Sequence, residues 1–457
     1  MKKALALVLT LCMMFALAVP AFADAEPTEI EFWTFQALHV EFYKTMAEKW
    51  NELNPDRPIS IKETVLDYED MHSKLGIALQ TGEGAPDLVD IEINKFANFL
   101  NGDIQLLPLN EELAPELDNI VKARVDIYSK DGNYYGICFH IGAAVIFYNA
   151  KLCEEAGIDF KAINTWQDYY EAGKKFKETF PDKYWVSVET GDVWHIWPLI
   201  AQLGGDFTTA DGQPNLDSPE VAFALSYYRK MLDEGIACVA PGGGHHQEEF
   251  YGYMNDGNIC SIVMPMWYLD RFTNYMPDLK GQMAVWHLPV WNDQSPKSVG
   301  QGGTGTAVTN QAKDPQLVKD FLVYAKTSRD GAIVAWNDLG FDPIRVEALD
   351  LPEIKDATNV FTEYYVTSPI EVLMSIKDDI VGHNNNSVMP ATLDAAKANV
   401  FNRAYTEADV DIAAMLAEEQ ENIIFELFAF SAAAKFAIGH REFSIIIVLA
   451  LTNDGQG

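Results

Sequence analysis

The chain has 457 residues, of which 48% are hydrophobic, 22% charged and 12% aromatic, which is enough for two or three domains with substantial cores. It carries 33 Lys plus Arg against 67 Asp plus Glu, a formal net charge of −34. This excess of acid argues against a nucleic-acid partner, because a polyanionic backbone needs a basic surface, and it disfavours acidic membrane surfaces.

The first 23 residues have the pattern of a secretory signal peptide. Lys2 and Lys3 precede an apolar run that ends in an Ala-x-Ala motif, which predicts cleavage after Ala23. A membrane anchor is the alternative, but the run is short for the ~20 apolar residues of a membrane span. Lipidation at Cys12 is a further alternative, although a bulky Leu stands where lipoprotein signals have a small residue. We expect a mature protein that is exported, soluble and acidic.

The chain after this signal begins with a β-α-β-α-β pattern. Apolar residues at three- and four-residue spacing predict a helix from Leu38 to Leu53, which Asn54 and Pro55 end. Asp67 can cap a second helix, which a glycine-rich turn ends. The predicted strands cover residues 29–35, 59–65 and 88–93. This order predicts a parallel sheet with short crossovers.

A second α/β unit begins near residue 140. Its helices are predicted to start at Thr165 and at Ser218, where Pro219 occupies the first helical position. Its strands are predicted at residues 136–140, 144–148, 185–189 and 260–264. A strand at residues 307–309 and a helix from Asp314 follow. Two units of this size predict two lobes around a cleft.

The end of the chain differs from the rest. Residues 423–451 are rich in Ile, Phe, Leu and Ala and carry few charges, but the longest uncharged run is too short to span a bilayer. A packed terminal helix and strand is the first interpretation. A partner-docking or weakly ordered tail and a reading-frame artefact are the alternatives.

The cysteines do not define a scaffold. Without Cys12, the remaining residues Cys138, Cys153, Cys238 and Cys260 permit three full pairings, and the sequence does not choose among them. None belongs to a Cys-x-x-Cys pair, so a zinc ribbon or a thioredoxin-like site has no support.

Two short motifs suggest chemistry that their context does not support. Residues 300–305 satisfy G-x-G-x-x-G, but an apparent strand follows instead of the helix that a dinucleotide site needs. The other interpretations of residues 300–305 are a plain turn and a loop that lets a ligand approach the backbone closely. His245 and His246 lack the spacing of a metal site, which favours a surface or inter-lobe helix start. A G-x-S-x-G elbow is also missing, and we predict no catalytic residue, metal or cofactor.

Aromatic residues at strand ends and in loops are the most informative feature. A sugar ring packs its C–H face on an aromatic ring, and its hydroxyl groups need carboxylate or amide partners. Loops at the carboxyl ends of parallel strands are also where open α/β sheets bind ligands. The aromatic candidates are Trp33, Trp194, Trp197, Trp267, Tyr268 and Trp336. Core packing is the alternative for each of them. Glu92 and Glu189, at the ends of two strands, are the carboxylates best placed to bind hydroxyl groups.

Short motifs spread over residues 29–420 resemble those of a known family. They are Ile30-Glu31-Phe32-Trp33, Ala85-Pro86-Asp87-Leu88, Tyr135-Gly136, Tyr148-Asn149, Ala156-Gly157-Ile158 before Thr165-Trp166, Met264-Pro265-Met266-Trp267, Gly302-Gly303-Thr304-Gly305 with Asn310, Lys319 and Phe321, and Gly340-Phe341-Asp342-Pro343. The family is that of the extracellular solute-binding proteins of carbohydrate ABC transporters, similar in general plan to maltose-binding protein. More narrowly, the chain resembles the lactose and arabinose-oligosaccharide branch.

The resemblance implies an α/β, type II periplasmic-binding-protein-like fold, in which two lobes close on a sugar by a hinge motion. The implied partners are a carbohydrate ligand and the membrane permease subunits of an ABC transporter. The implied location is the periplasm or the outer face of the cytoplasmic membrane, and we expect a monomer. Lipid-anchored relatives carry a cysteine directly after the signal, whereas this chain has Asp24, so the resemblance does not fix the mode of anchoring.

The resemblance also implies roles for individual residues. They are Trp33 for first-lobe contacts, Glu92 and Asn94 after a strand that points into the cleft, Trp267 for stacking on the sugar, and Gly303 and Thr304 in the loop that returns the chain to the first lobe. Glu189, Trp194 and Trp197 rest mainly on their placement. The predicted first lobe comprises residues 24–139 and 288–345, the second comprises 140–287 and 346–420, and residues 421–457 form the apolar tail.

Three functions remain to be compared. The first is a sugar receptor without catalysis that delivers a mono- or oligosaccharide to an importer. The second is a secreted glycoside hydrolase, whose carboxyl groups would lie about 5 Å apart in a retaining enzyme and farther apart in an inverting one. The third is a peptide or metal receptor of the same fold. Since no cross-link of the family matches the cysteines, we predict that they are thiols.

Overall fold

A computed structural model describes residues 26–427 of the chain. The predicted signal peptide and most of the apolar tail lie outside these residues. Within residues 26–427, we find no helix that is both long enough and apolar enough to cross a membrane.

The first lobe begins with three strands and two helices in the predicted order. The strands are β1 (Thr28–Thr34), β2 (Ile59–Val65) and β3 (Leu88–Glu92), and the helices are α1 (Ala37–Leu53) and α2 (Tyr68–Thr81). β1 pairs in parallel with both β2 and β3, which confirms the predicted parallel arrangement. The Asp67 side chain accepts a hydrogen bond from the backbone N–H of Glu69 at 3.2 Å and caps α2.

The second lobe contains a five-stranded mixed sheet. Its strands are β4 (Ala144–Asn149), β5 (Tyr184–Val188), β6 (Ala237–Val239), β7 (Ile259–Pro265) and β8 (Met283–Trp286), in the order β8-β4-β7-β5-β6. Its helices are α3 (Ala150–Glu155), α4 (Trp166–Thr179), α5 (Trp197–Gln202), α6 (Pro219–Asp233), α7 (Glu248–Asn255) and α8 (Leu269–Tyr275). Thr165 caps α4 and Ser218 caps α6, as the sequence predicts.

The chain then returns to the first lobe. β9 (Thr304–Val308) pairs antiparallel with β3, and the completed first sheet has the order β9-β3-β1-β2. The later helices are α9 (Pro315–Thr327), α10 (Arg329–Leu339), α11 (Pro369–Ile376), α12 (Met389–Ala395), α13 (Phe401–Thr406) and a helix over residues 412–427. α9 and α10 pack against α1 in the first lobe, whereas α11 packs against β8 and α13 against α6 in the second.

Short elements complete the described chain. The short helices are Ile93–Phe96, Asn110–Leu113, Ala123–Asp126, Pro352–Lys355 and Val360–Tyr364, and a π-helical turn, Ala396–Val400, joins α12 to α13. Two-residue strands pair Ser129–Lys130 with Asn133–Tyr134, and Ser298–Val299 with Ile380–Val381.

Three segments cross side by side between the two sheets: residues 139–143, 299–303 and 340–345. The backbone N–H of Gln301 donates to the carbonyl of Gly142 at 2.8 Å, and that of Ile141 donates to the carbonyl of Asp342 at 2.8 Å. The Asp342 carboxylate also accepts from the N–H of Ala143 at 2.9 Å. The strand predicted at residues 136–140 is therefore wrong, because this segment forms isolated bridges to residues 306 and 343 and joins no sheet as a strand.

The predicted residue boundaries of the lobes stay a prediction. The segment that follows β8 packs mainly on the second lobe, since the N–H of Val290 donates to the carbonyl of Asn164 at 3.0 Å. The Gln202 side chain likewise donates to the carbonyl of Pro296 at 2.9 Å. These contacts place residues 290–296 beside α4 and α5.

Candidate functional site

The first wall of the cleft is built around Glu92 at the carboxyl end of β3. Its Oε2 accepts from the backbone N–H of Asn94 at 2.8 Å and from the hydroxyl of Tyr68 at 2.9 Å. Its own backbone N–H donates to Nε2 of His72 at 3.1 Å. Burial raises the pKa of Glu92 to about 7, although the hydrogen bonds from Asn94 and Tyr68 oppose that rise. A proton is therefore held at this carboxyl group near neutral pH.

Asn94, Gly303 and Thr304 lie beside Glu92 because of the sheet register. Thr304 on β9 is the partner of Glu92 on β3, and the carbonyl of Gly303 accepts from the backbone N–H of Ile93 at 2.8 Å. Oδ1 of Asn94 is buried and has no hydrogen-bond partner among residues 26–427. The first wall thus offers an unused acceptor next to a protonatable carboxyl group.

The glycine-rich loop meets protein groups at close range. Gly302 has φ +64° and Gly303 has φ +128°, and a Cβ on Gly302 would lie 2.9 Å from Nε1 of Trp267. Nη2 of Arg124 donates to the carbonyl of Gly302 at 2.6 Å. The loop runs into strand β9, so the phosphate-loop interpretation of G-x-G-x-x-G has no helix to support it. Glycine is required here because the backbone is left-handed and Trp267 stands against it.

The second wall carries an aromatic cluster, formed by Trp194, Trp267, Tyr268 and His246. Trp267 and Trp194 pack edge to face, with ring centroids 5.5 Å apart and planes at 87°. His246 stacks on Trp267 with centroids 5.6 Å apart and planes at 26°. Nε1 of Trp267 donates to the carbonyl of Gln301 at 3.1 Å, which ties the cluster to the crossing segment. The cluster is rigid because each ring is fixed by another ring or by a hydrogen bond.

Glu189 follows β5 and lies behind this cluster with 0% exposure. Its Oε1 accepts from the backbone N–H of His245 at 2.9 Å, and the hydroxyl of Tyr268 donates to the carbonyl of the same histidine. Oε2 lies 3.5 Å from Nδ1 of His245 and 3.6 Å from Nδ1 of His195. Burial lowers the pKa of His195 to about 3 and that of His245 to about 4, so both imidazoles are neutral.

Asp192 and Lys397 complete the charge distribution of the cleft. Burial and then repulsion from Glu189 raise the pKa of Asp192 to about 7, while Lys397 opposes the rise. Nζ of Lys397 lies 2.9 Å from Oδ1 of Asp394 on α12. Oδ2 of Asp394 in turn lies 3.9 Å from Nζ of Lys95 in the first lobe. This chain of charges connects the two walls.

Three predicted site residues do not join these walls. Lys74 Nζ lies 4.1 Å from the ring centroid of Trp33, which packs beneath α2. Trp197 is fully buried, and its Nε1 donates to Oδ1 of Asp206 at 2.8 Å. Trp336 is fully buried in α10, on the side of the first lobe where this helix packs against α1. These three rings are buried in the core of the protein, which was the alternative interpretation for each of them.

The structure also adds residues to the site that sequence reasoning missed. Tyr68, Asp192, His246 and Lys397 lie at these walls, although none of them is among the predicted ligand-binding residues. His245 and His246 precede α7, but His245 is fully buried and His246 is half-buried, so a surface position is wrong for His245, and the inter-lobe alternative stays a prediction. The adjacent histidines were a signal in the sequence for His246. The sequence around Lys397 contains no comparable motif.

The fold is shared with two-lobe solute-binding proteins of known structure. One is the ABC transporter associated binding protein from B. animalis subsp. lactis Bl-04 in complex with beta-1,6-galactobiose, at a TM-score of 0.71 and 23% identity, covering 88% of this chain and 98% of that chain. Another is maltose-bound MalE3 of T. maritima, at a TM-score of 0.70 and 18% identity, covering 87% of this chain and 99% of that chain. These similarities confirm the predicted two-lobe α/β fold.

Sequence comparison identifies the family. Residues 36–332 match the bacterial extracellular solute-binding protein family. An arabinooligosaccharide-binding protein of Halalkalibacterium halodurans is 43% identical over 82% of this chain and 84% of its own length. One of Bacillus subtilis is 40% identical over 83% of this chain and 89% of its own length. The chain therefore belongs to the bacterial extracellular solute-binding protein family, a family of binding proteins, as the motif resemblance implies.

Proposed function

We propose that this protein captures an oligosaccharide between its two lobes and delivers it to the permease of an ABC importer. The observation that carries the proposal is that the two walls contain both aromatic rings, those of Trp194 and Trp267, and carboxyl groups, those of Glu92 and Asp192. Aromatic rings pack on the C–H face of a sugar, and carboxyl groups bind its hydroxyl groups. One cleft thus supplies both kinds of contact that a sugar requires.

An arabinose-containing oligosaccharide is the ligand class we favour. The two relatives at 43% and 40% identity are both arabinooligosaccharide-binding proteins. The site residues we assign to ligand binding are Glu92, Asn94, Asp192, Trp194, Trp267 and Thr304. The acceptor Oδ1 of Asn94, buried without a partner in the described part of the chain, supports a ligand rich in hydroxyl donors.

Export and the absence of turnover are parts of the same proposal. The signal pattern ending at Ala23 and the extracellular family support a protein that works outside the cytoplasmic membrane. We infer that it acts as a monomer and returns its ligand unchanged. No sequence motif supports the alternative of a glycoside hydrolase, and the family comprises binding proteins.

The test is a fluorescence titration of the chain from Asp24 onward. Arabinobiose, arabinotriose, lactose, galactobiose and maltotriose are added separately, and the sugar is recovered and analysed by chromatography. We expect a saturable change in tryptophan emission with the arabinose series, with the sugar intact. No response to any sugar would overturn the sugar-receptor proposal, and cleaved sugar would replace it with the hydrolase.

Replacement of Trp267 tests the site itself. We expect Trp267→Ala to weaken sugar binding by at least about tenfold, since one stacked ring contributes about 0.5–1.5 kcal/mol beyond its area burial and about 1.4 kcal/mol is tenfold. Trp286→Phe is the matched control, because Trp286 ends β8 beside Phe160 and His287, outside the two walls. Isothermal titration calorimetry measures both, and circular dichroism checks their folding. Equal affinity of a folded Trp267→Ala protein and the control would refute this assignment.

A further inference from the structure

The second wall of the cleft contains three metal-ligating side chains in one place. Glu189, Asp192 and His246 each offer one ligand atom, and these atoms all lie within 4.8 Å of one another. In a tetrahedral site, the atoms that bind one Zn²⁺ at about 2.0–2.2 Å lie about 3.3–3.6 Å apart. Closing the observed spacing to a tetrahedral set therefore needs side-chain movements of up to about 1 Å.

One oxygen of Glu189 is available to such an ion. Oε1 is already bonded to the backbone N–H of His245 at 2.9 Å. Oε2 is buried with no hydrogen-bond partner among the described residues, and the whole side chain is 0% exposed. A buried carboxylate oxygen left without a partner is costly unless a donor or a cation meets it.

The local charge also favours a cation. The nearest lysine, Lys397, already pairs with Asp394 at 2.9 Å. The imidazoles of His195 and His245 stand 3.6 Å and 3.5 Å from Oε2 of Glu189, too far for hydrogen bonds. Among the described side chains, neither Glu189 nor Asp192 forms an ion pair with a lysine or an arginine, although Lys397 is near enough to oppose the rise in the pKa of Asp192.

The third ligand is fixed in position before an ion arrives. The ring of His246 stacks on Trp267 at 5.6 Å with planes at 26°, and its edge meets Tyr268 at 5.4 Å with planes at 83°. Two aromatic neighbours hold the imidazole plane, which lowers the entropy that coordination would cost.

We propose that Glu189, Asp192 and His246 form a binding site for a divalent transition-metal ion, Zn²⁺ or Mn²⁺. Two carboxylate oxygens and one imidazole nitrogen match these ions better than Mg²⁺ or Ca²⁺, which prefer all-oxygen sites. Three protein ligands leave at least one coordination position open. All three residues belong to the second lobe, so the site exists whether or not the lobes close. Asp192 is also one of the residues we assign to the sugar, so a bound ion and the sugar would share that side chain.

The test measures metal binding directly on the intact protein. Protein stripped with a chelator is titrated with ZnCl₂ and MnCl₂ by calorimetry, with MgCl₂ and CaCl₂ for comparison. We expect one ion per chain for Zn²⁺ or Mn²⁺ and weaker binding of the two hard cations. Asp192→Asn and His246→Gln should each weaken binding by at least about tenfold, because each removes one of three ligands. His287→Gln and Asp182→Asn, outside the cluster, are the matched controls and should bind as the parent does.

The absence of stoichiometric Zn²⁺ or Mn²⁺ binding would overturn the proposal, as would equal affinity in the cluster variants and the controls. Electron paramagnetic resonance of Mn²⁺ on the unmodified protein gives a second readout that needs no variant. We expect the signal of free Mn²⁺ to fall as protein is added. If the protein binds Zn²⁺ but leaves the signal of free Mn²⁺ unchanged, the two ions do not share this site. Sugar binding is measured separately, so failure of the metal site leaves the proposed function standing.

Discussion

Glu92→Gln should change how the stability of the protein depends on pH. Glu92 lies in the first wall of the cleft, where burial raises the pKa of its carboxyl group from 4.5 to about 7. The folded protein therefore holds a proton between these values that the unfolded chain releases. Stability falls as pH rises through this range, since the folded state binds more protons than the unfolded state. Glutamine does not titrate, so the free energy of unfolding of the variant lacks this decrease with rising pH.

The size of the effect follows from the two pKa values. One pKa unit corresponds to about 1.4 kcal/mol, so Glu92 lowers the free energy of unfolding by about 2–3 kcal/mol between pH 5 and pH 8. We expect Glu92→Gln to gain that amount relative to the parent protein over the same range. The amide oxygen can still accept from the N–H of Asn94 or the hydroxyl of Tyr68, which limits the structural cost of the replacement.

Urea unfolding at several pH values between 5 and 8, followed by fluorescence and circular dichroism in buffer with a chelator, measures this difference. Glu155→Gln, at an exposed position on α3, is the matched control and should follow the pH dependence of the parent. A difference between Glu92→Gln and the parent that stays constant from pH 5 to pH 8 would refute the reasoning.

Two further predictions concern the crossing loop and the cysteines. Gly302→Ala should lower the free energy of unfolding by about 1–3 kcal/mol and weaken sugar binding, because its φ is +64° and the new Cβ would meet Nε1 of Trp267 at 2.9 Å. Gly252→Ala on helix α7, whose Cβ would meet nothing within 4 Å, is its control, and equal thermal stability of the two variants would contradict the argument. A thiol titration in denaturant should detect all four cysteines after the signal, although Sγ of Cys153 and Sγ of Cys260 lie only 3.5 Å apart. A result of two thiols would instead indicate that this pair is oxidised.

The parts of the fold that depend on local sequence were predictable. Asp67, Thr165 and Ser218 cap their helices as expected, because a cap is decided within three or four residues of chain. The first β-α-β-α-β unit followed from apolar spacing in the same way. The segment at residues 136–140 has the apolar content of a strand, but it forms only single bridges, to Thr306 on β9 and to Pro343 in a crossing segment. Both partners are far along the chain, and no local pattern encodes that environment.

The position of a residue at the end of a strand could be predicted from the sequence. The surroundings of a side chain elsewhere in the fold could not. Glu92 and Glu189 stand at strand ends, and the structure places Glu92 in the first wall and Glu189 behind the aromatic cluster of the second wall. Trp336 is an example, because the sequence pattern around an aromatic residue in a helix is the same whether its ring faces a cleft or the core. Lys397 affects the pKa of Asp192 only because distant segments converge, so the two residues could not be paired from sequence.

The pairing of β9 with β3 determines when each lobe can be completed. Leu88 is the partner of Val308, so the first sheet lacks its edge strand until all five strands of the second sheet have emerged between them. All five strands of the second sheet lie between Ala144 and Trp286, and that sheet can close earlier. Pairings of such long range are slow to form. As the chain emerges from its N-terminus, the second sheet is therefore expected to form first, while β3 keeps an unpaired edge until β9 completes the first sheet.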